Sequence, residues 1–235
     1  MDHRAQLAMA TQEGRTTEPA AAAAASELAF RLAELGQNFY ARGWALGTSG
    51  NFSAVVSRSP LRLVITRSGV DKGALTAEHI VQIDANGEPV DGSGRPSGEA
   101  LVHLTLVRAR GAGAVLHTHS VWSTILSDAC PREGGIQLEG YEMLKGLEGV
   151  RTHEHREWLP TIENSQDYLE LARRIERTLA QFPDSHGFLL RRHGLYTWGR
   201  DLAQAKRHVE ILEFLLEVVG RTHDAVRLGS RSIGA

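Results

Sequence analysis

Cysteine is almost missing from this 235-residue chain: Cys130 stands alone, so no intrachain disulfide can form and a reducing cytoplasm is the expected setting. An excess of one charge is missing too. With 26 Lys+Arg against 28 Asp+Glu the net charge is −2, so neither a nucleic acid nor an anionic membrane is expected as a partner. No apolar run approaches the roughly 20 residues that cross a bilayer. The run Ala20–Ala25 follows Glu18-Pro19 without a basic flank or a leucine-rich stretch, and reads as a helical or disordered arm rather than a signal peptide. The dinucleotide fingerprint G-x-G-x-x-G and the P-loop G-x-x-x-x-G-K-[ST] are both absent.

What is present is ordinary for a soluble globular protein: 42% hydrophobic and 23% charged residues. Leu28, Leu32, Leu35 and Phe39 recur at helical spacing from Ser26, and Gly43 stops the pattern. "NFSAVV" and "LRLVIT" read as a strand pair joined around Ser59-Pro60, and "IVQID" as a further strand. Pro96-Ser97 opens an apolar helix that Gly111 closes. A strand "GAGAVLHTHS" follows, then a helix "VWSTILSD" and an irregular segment from Cys130 to Arg156. "EWLPTI" is a candidate strand, "SQDYLELARRIERTLAQF" an amphipathic helix capped by Ser165 or Asn164, and "GFLLRRHGLYTWG" two strand pieces. Asp201 caps a final helix. Residues 1–25 form an arm, 26–222 one layered α/β domain with much antiparallel pairing, and 223–235 a flexible tail.

Among 11 histidines, His117 and His119 attract chemistry because they end an apolar strand and share its face. A structural pair and two-thirds of a metal site both remain open on that spacing. His193 is the best third ligand: it also ends an apolar run, and Gly194 lets the backbone turn closely beside a bound group. His153 and His155 share strand parity too, yet their charged surroundings suit a solvated loop at the mouth of a site. His79, His103 and His208 fall in helix patterns and receive no role. "GTSGNFS", "TRSGVDKG" and "GRPSGE" each place small residues at an element boundary, where backbone N–H groups and hydroxyls suit an anion. Glu99 opens a helix, where a carboxylate commonly caps, and Glu142 lies in the irregular segment.

"GTSGNFS", "TRSGVDKG", "RPSGE", "HTH" and "RRHG", in this order, resemble the class II aldolase/adducin superfamily. "GYEMLKGLEG", "THEHREWLPTIENSQD" and "RRHGLYTWGRD" are similar to its dehydratase branch, and the resemblance spans about residues 28–220. It implies an α/β/α three-layer sandwich with a central, largely antiparallel sheet, assembled as a homotetramer with active sites near subunit interfaces. It implies one Zn2+ per subunit on His117, His119 and His193, with Glu142 as general acid/base and Glu99 at the position of the aldolases' catalytic acid. Asn51, Ser68, Gly69 and Ser97 fall where such enzymes hold the phosphate of a small sugar-phosphate substrate. Lys145 and His155 are candidate contacts to a methylthio group. The expected activity is zinc-dependent dehydration of 5-methylthioribulose 1-phosphate in methionine salvage; a sugar-phosphate aldolase or epimerase is the alternative. Gly98 replaces the second serine of the aldolases' P-S-S-E, which argues against aldol cleavage.

Overall fold

The computed structural model describes residues 3–90, 92, 94–129 and 134–231; Cys130 lies outside the described residues. Eight strands form one sheet: β1 (Asn51–Arg58), β2 (Leu61–Thr66), β3 (Ile80–Ile83), β4 (Ala114–Thr118), β5 (Gly135–Glu139), β6 (Arg156–Ile162), β7 (Gly187–Leu190) and β8 (Gly194–Gly199). Their order across the sheet is β3-β2-β1-β4-β8-β7-β6-β5. Every neighbouring pair runs antiparallel except β6 and β7.

Side-chain alternation along the strands feeds two faces, and helices cover both. Val115 of β4 and Ile65 of β2 pack with Leu106 of α2 (Ala100–Arg110) and Ile175 of α4 (Tyr168–Gln181). Leu116, next to Val115, points the other way, into a cluster with Phe39 of α1 (His3–Ala41) and Val209 of α5 (Leu202–Arg231). On that second face Leu126 of α3 (Val121–Ala129) joins Leu212 of α5 and Leu195 of β8. The result is the expected three-layer α/β/α sandwich. Fully buried Phe39 and Phe52 contribute on the order of 2–3 kcal/mol each through lost apolar exposure.

Four boundaries differ from the sequence expectation. Helix α1 begins at His3 rather than near Ser26, so the arm takes its helical form. Helix α2 begins at Ala100, because Pro96 bridges Arg67 and the Ser97 N–H donates to the Thr66 carbonyl at 3.1 Å. The cap of α4 is Asp167, whose carboxylate accepts from the N–H groups of Leu169 and Glu170; Ser165 and Asn164 instead close the turn before it. Helix α5 runs to Arg231, past residue 222, in a stretch with no proline to break it. The irregular segment also holds β5, an edge strand too short to declare its period.

Candidate metal centre

The site grows from the centre of the sheet. All five residues of β4 are buried, and its two neighbours pair Asn51 of β1 and Tyr196 of β8 with His117. The Tyr196 ring stacks on the His117 imidazole with centroids 3.8 Å apart and planes 9° from parallel. At the end of β4 the His119 N–H donates to the Trp44 carbonyl at 2.7 Å. His193 arrives from the turn between β7 and β8, and its N–H donates to the Leu190 carbonyl at 3.1 Å. That turn forces Arg192 to a φ of 55°, a left-handed conformation that costs a non-glycine residue about 1 kcal/mol. Its guanidinium Nε, 2.9 Å from Asp128, helps hold the strained turn in place. Gly194 is required by proximity: a Cβ there would lie 2.0 Å from the Thr118 carbonyl oxygen.

Three ring nitrogens converge. Nε2 of His119 lies 2.8 Å and Nε2 of His193 3.3 Å from Nε2 of His117. The Nδ1–H of His117 donates to the Leu195 carbonyl, 2.9 Å away, which leaves a lone pair on its Nε2. Burial pushes His117 well below its usual range, and the His119 and His193 rings add to the effect. His119 is brought down to about 3 by burial and then by His193 and Lys72. Burial likewise lowers His193 against the pull of Glu99. Three neutral imidazoles with lone pairs turned inward suit a divalent ion. A tetrahedral ion with bonds of about 2.0 Å sets its ligands about 3.3 Å apart, the scale found here.

Glu99 completes the ring of donors. It sits at the N-terminal boundary of α2 but caps nothing. Its carboxylate oxygens lie 3.6 Å from His117 Nε2 and 3.8 Å from His193 Nε2. Asn51 Nδ2 donates to Glu99 at 2.6 Å, while Asn51 Oδ1 accepts from His103 Nε2. His103 Nδ1 in turn accepts from the Ser53 hydroxyl at 2.7 Å. This tautomer is the one that satisfies every member, giving a relay from Ser53 through His103 and Asn51 to Glu99. Burial drives His103 down to about 3, so it stays neutral in the relay.

The other expected positions separate. Asn51 and Ser97 serve Glu99: the Ser97 hydroxyl accepts from the Glu99 N–H at 3.3 Å, and the Asn51 side chain is engaged at both ends. Ser68 and Gly69 lie exposed in their turn, with Gly69 at φ 74°. Glu142 does not meet the histidines. It is exposed, and its oxygens lie 2.6 Å from Lys145 Nζ and 3.8 Å from His153 Nδ1. Those neighbours hold its carboxyl below the usual range, the Lys145 hydrogen bond most of all.

Three further residues lie outside the sequence expectations. His103, given no role from its helix pattern, is the relay's turning point. Lys72 is 1% exposed and donates to the Thr48 and Val70 carbonyls at 3.0 and 2.9 Å, tying together two glycine-rich loops; burial brings it down to about 8 although Asp71 opposes the shift. Glu213, wholly buried on α5, accepts from the hydroxyl of Thr118, the residue between the two histidines. Glu99 and His103 stand four residues apart, a spacing that puts them on one helix face and could have marked the pair.

A model of the family described as "Class II Aldolase and Adducin N-terminal domain" matches residues 30–219. The chain belongs to this family. It is 43% identical over 194 residues to the methylthioribulose-1-phosphate dehydratase of Sorangium cellulosum, covering 82% of this chain and 91% of that protein. The enzyme of the same name from Methylococcus capsulatus is 43% identical over 85% of this chain and 96% of its own length. The crystal structure of YgbL from Escherichia coli superposes with a TM-score of 0.69 at 26% identity, covering 83% of this chain and 89% of that one. The L-fuculose-1-phosphate aldolase of Thermus thermophilus, at 22% identity and a TM-score of 0.68, shares the fold over 87% of this chain and 98% of its own. The class II aldolase family is generally metal-dependent, and His117, His119 and His193 of this chain could hold a metal ion.

Proposed function

We propose that this chain is a methylthioribulose-1-phosphate dehydratase, converting 5-methylthioribulose 1-phosphate to 5-methylthio-2,3-dioxopentyl 1-phosphate and water in methionine salvage. The observation that carries this is the convergence of the His117, His119 and His193 nitrogens in a chain 43% identical, over more than four fifths of its length, to enzymes of that name. Residues 26–222 are the catalytic domain in this proposal, working in the cytoplasm as a homotetramer. No helix among the described residues is long and apolar enough to cross a membrane.

His117, His119 and His193 would hold one Zn2+ per subunit through Nε2. The ion would supply Lewis acidity toward the ketose oxygens, favouring loss of the proton beside the carbonyl. The chain's own residues do the rest. The stacked Tyr196 and the Leu195 carbonyl fix the plane and tautomer of His117. The relay through His103 and Asn51 keeps Glu99 aimed at the ligand nitrogens. Ser68 and Gly69, exposed in a turn rich in backbone N–H groups, would receive the phosphate. Glu142 would take the C3 proton and return it to the departing C4 hydroxyl. Its exposure leaves the carboxylate open to a bound substrate, with Lys145 and His153 beside it.

Two substitutions separate the carboxylates. Glu142→Gln should keep the metal and lose most turnover, whereas Glu99→Gln should weaken metal retention and turnover together. Full activity in Glu142→Gln refutes the acid/base assignment. Products decide the reaction class: a diketone and water support dehydration, and two carbonyl fragments would make the chain an aldolase.

A further inference from the structure

A second cluster of metal-ligating side chains lies outside the site described above. His155, Glu157 and His186 bring their ligand atoms within 4.8 Å of one another. Glu157 belongs to β6 and is 1% exposed; His155 lies two residues before it, and His186 directly precedes β7. Because β6 and β7 run parallel, their starting ends meet here. His193 lies beyond the other end of β7, so the length of that strand, about 13 Å, separates this cluster from the first. The cluster borders a cleft of about 540 Å3 that also meets Arg110, Glu148 and His208.

Proton bookkeeping shows what an ion would displace. His186 Nε2 donates to the Glu148 carbonyl at 2.8 Å, which can only accept. A neutral His186 therefore turns the lone pair of Nδ1 toward Glu157 Oε2, 2.9 Å away. His155 Nε2 meets that same oxygen at 2.9 Å, and the other oxygen of Glu157 already accepts the His186 N–H at 2.8 Å. A buried carboxylate facing a lone pair requires a cation between them. In the ion-free protein that cation is a proton on His186 Nδ1, and although burial opposes it, the Glu157 hydrogen bond and charge raise His186 above its usual range. Two imidazoles and one carboxylate are a known zinc ligand set, and a carbonyl that fixes the far nitrogen of a ligand ring is the usual outer support.

We propose that His155 Nε2, Glu157 Oε2 and His186 Nδ1 form a second site for a divalent transition-metal ion of the zinc class, with its remaining position open to the cleft. On binding, the ion replaces the proton at His186 Nδ1, which leaves for solvent; His155, whose Nε2–H donates to Glu157 in the ion-free protein, shifts its proton to Nδ1 and ligates through Nε2. The net release is one proton. His155 thus acquires a ligand role in place of contact with a methylthio group.

The test uses untagged, chelator-stripped full-length protein titrated with Zn2+ against a competing chromophoric chelator, so that weak surface binding does not count. Wild type should take two equivalents, His155→Ala one, and His193→Ala one. Replacing the buried Glu157 risks the fold itself, whereas His155 is 30% exposed at the rim and its variant provides the deciding result. Circular dichroism of His155→Ala should match wild type. The same number of equivalents in wild type and His155→Ala overturns the proposal, whereas a single wild-type equivalent that His155→Ala loses overturns only the assignment of the first site. One equivalent in His193→Ala also separates this site from the first, since failure of the catalytic assignment would leave that number unchanged.

Discussion

Replacing Glu213 with glutamine tests how the protein supports its histidine pair from below. The carboxyl is fully buried, one oxygen accepts from Thr118, and the other has no partner among the described residues. Burial raises it from 4.5 to about 7, although the nearby Ser120 and Thr118 hydroxyls oppose the shift. Between those two values the folded chain holds a proton that the unfolded chain has lost. Stability from this group is therefore complete below pH 4.5 and falls as the pH rises to about 7, after which it is flat. Each pH unit in that window is worth about 1.4 kcal/mol, so the whole fall is on the order of 3 kcal/mol. A glutamine amide carries no charge at any pH and still accepts from Thr118, so Glu213→Gln should lack this component. Urea unfolding of both proteins at about pH 5 and about pH 8 reads it as a difference of differences, which cancels the titration of every other group. The variant should gain on wild type by about 3 kcal/mol between the two pH values, with metal affinity unchanged. An equal stability difference at both pH values would show that Glu213 is not held protonated, and the account of its buried seat fails.

Single contacts carry three other predictions. His103→Leu leaves the Asn51 carbonyl and the Ser53 hydroxyl without partners, which should cost about 2–4 kcal/mol and lower turnover; unchanged stability by denaturant titration contradicts the relay. Gly194→Ala drives a Cβ to within 2.0 Å of the Thr118 oxygen, so β4 and β8 must separate; metal content by mass spectrometry should fall, and a full complement of metal contradicts the close approach. Asp167→Ala should lower stability by about 1 kcal/mol and Ser165→Ala by less, read as shifts in Tm; the reverse order contradicts the cap of α4.

The sheet centre was legible because its sequence repeats one message at several levels. "AVLHTHS" is apolar until its end, so a buried strand delivering His117 and His119 follows from periodicity. "FLLRRHG" carries the same signature, and His193 meets the pair. The support around them was not legible, since a buried polar side chain looks like a surface one in sequence. Nothing in the sequence marks Lys72 or Glu213, and His103 reads as a residue on a helix pattern; the packing removes water from all three. Glu99 resembled a cap because carboxylates at a helix start usually are one; here Asn51 pulls it toward the histidines instead. Glu142 shows the converse limit. Its motif names a chemistry, and the fold of one chain leaves it on the surface.

Anomalous diffraction at the zinc edge, on crystals of the metal-loaded protein, tests the central claim most directly. The account predicts a peak bonded at about 2.0–2.1 Å to Nε2 of His117, His119 and His193 together. No peak at that point, or one that leaves any of the three rings unbound, contradicts it.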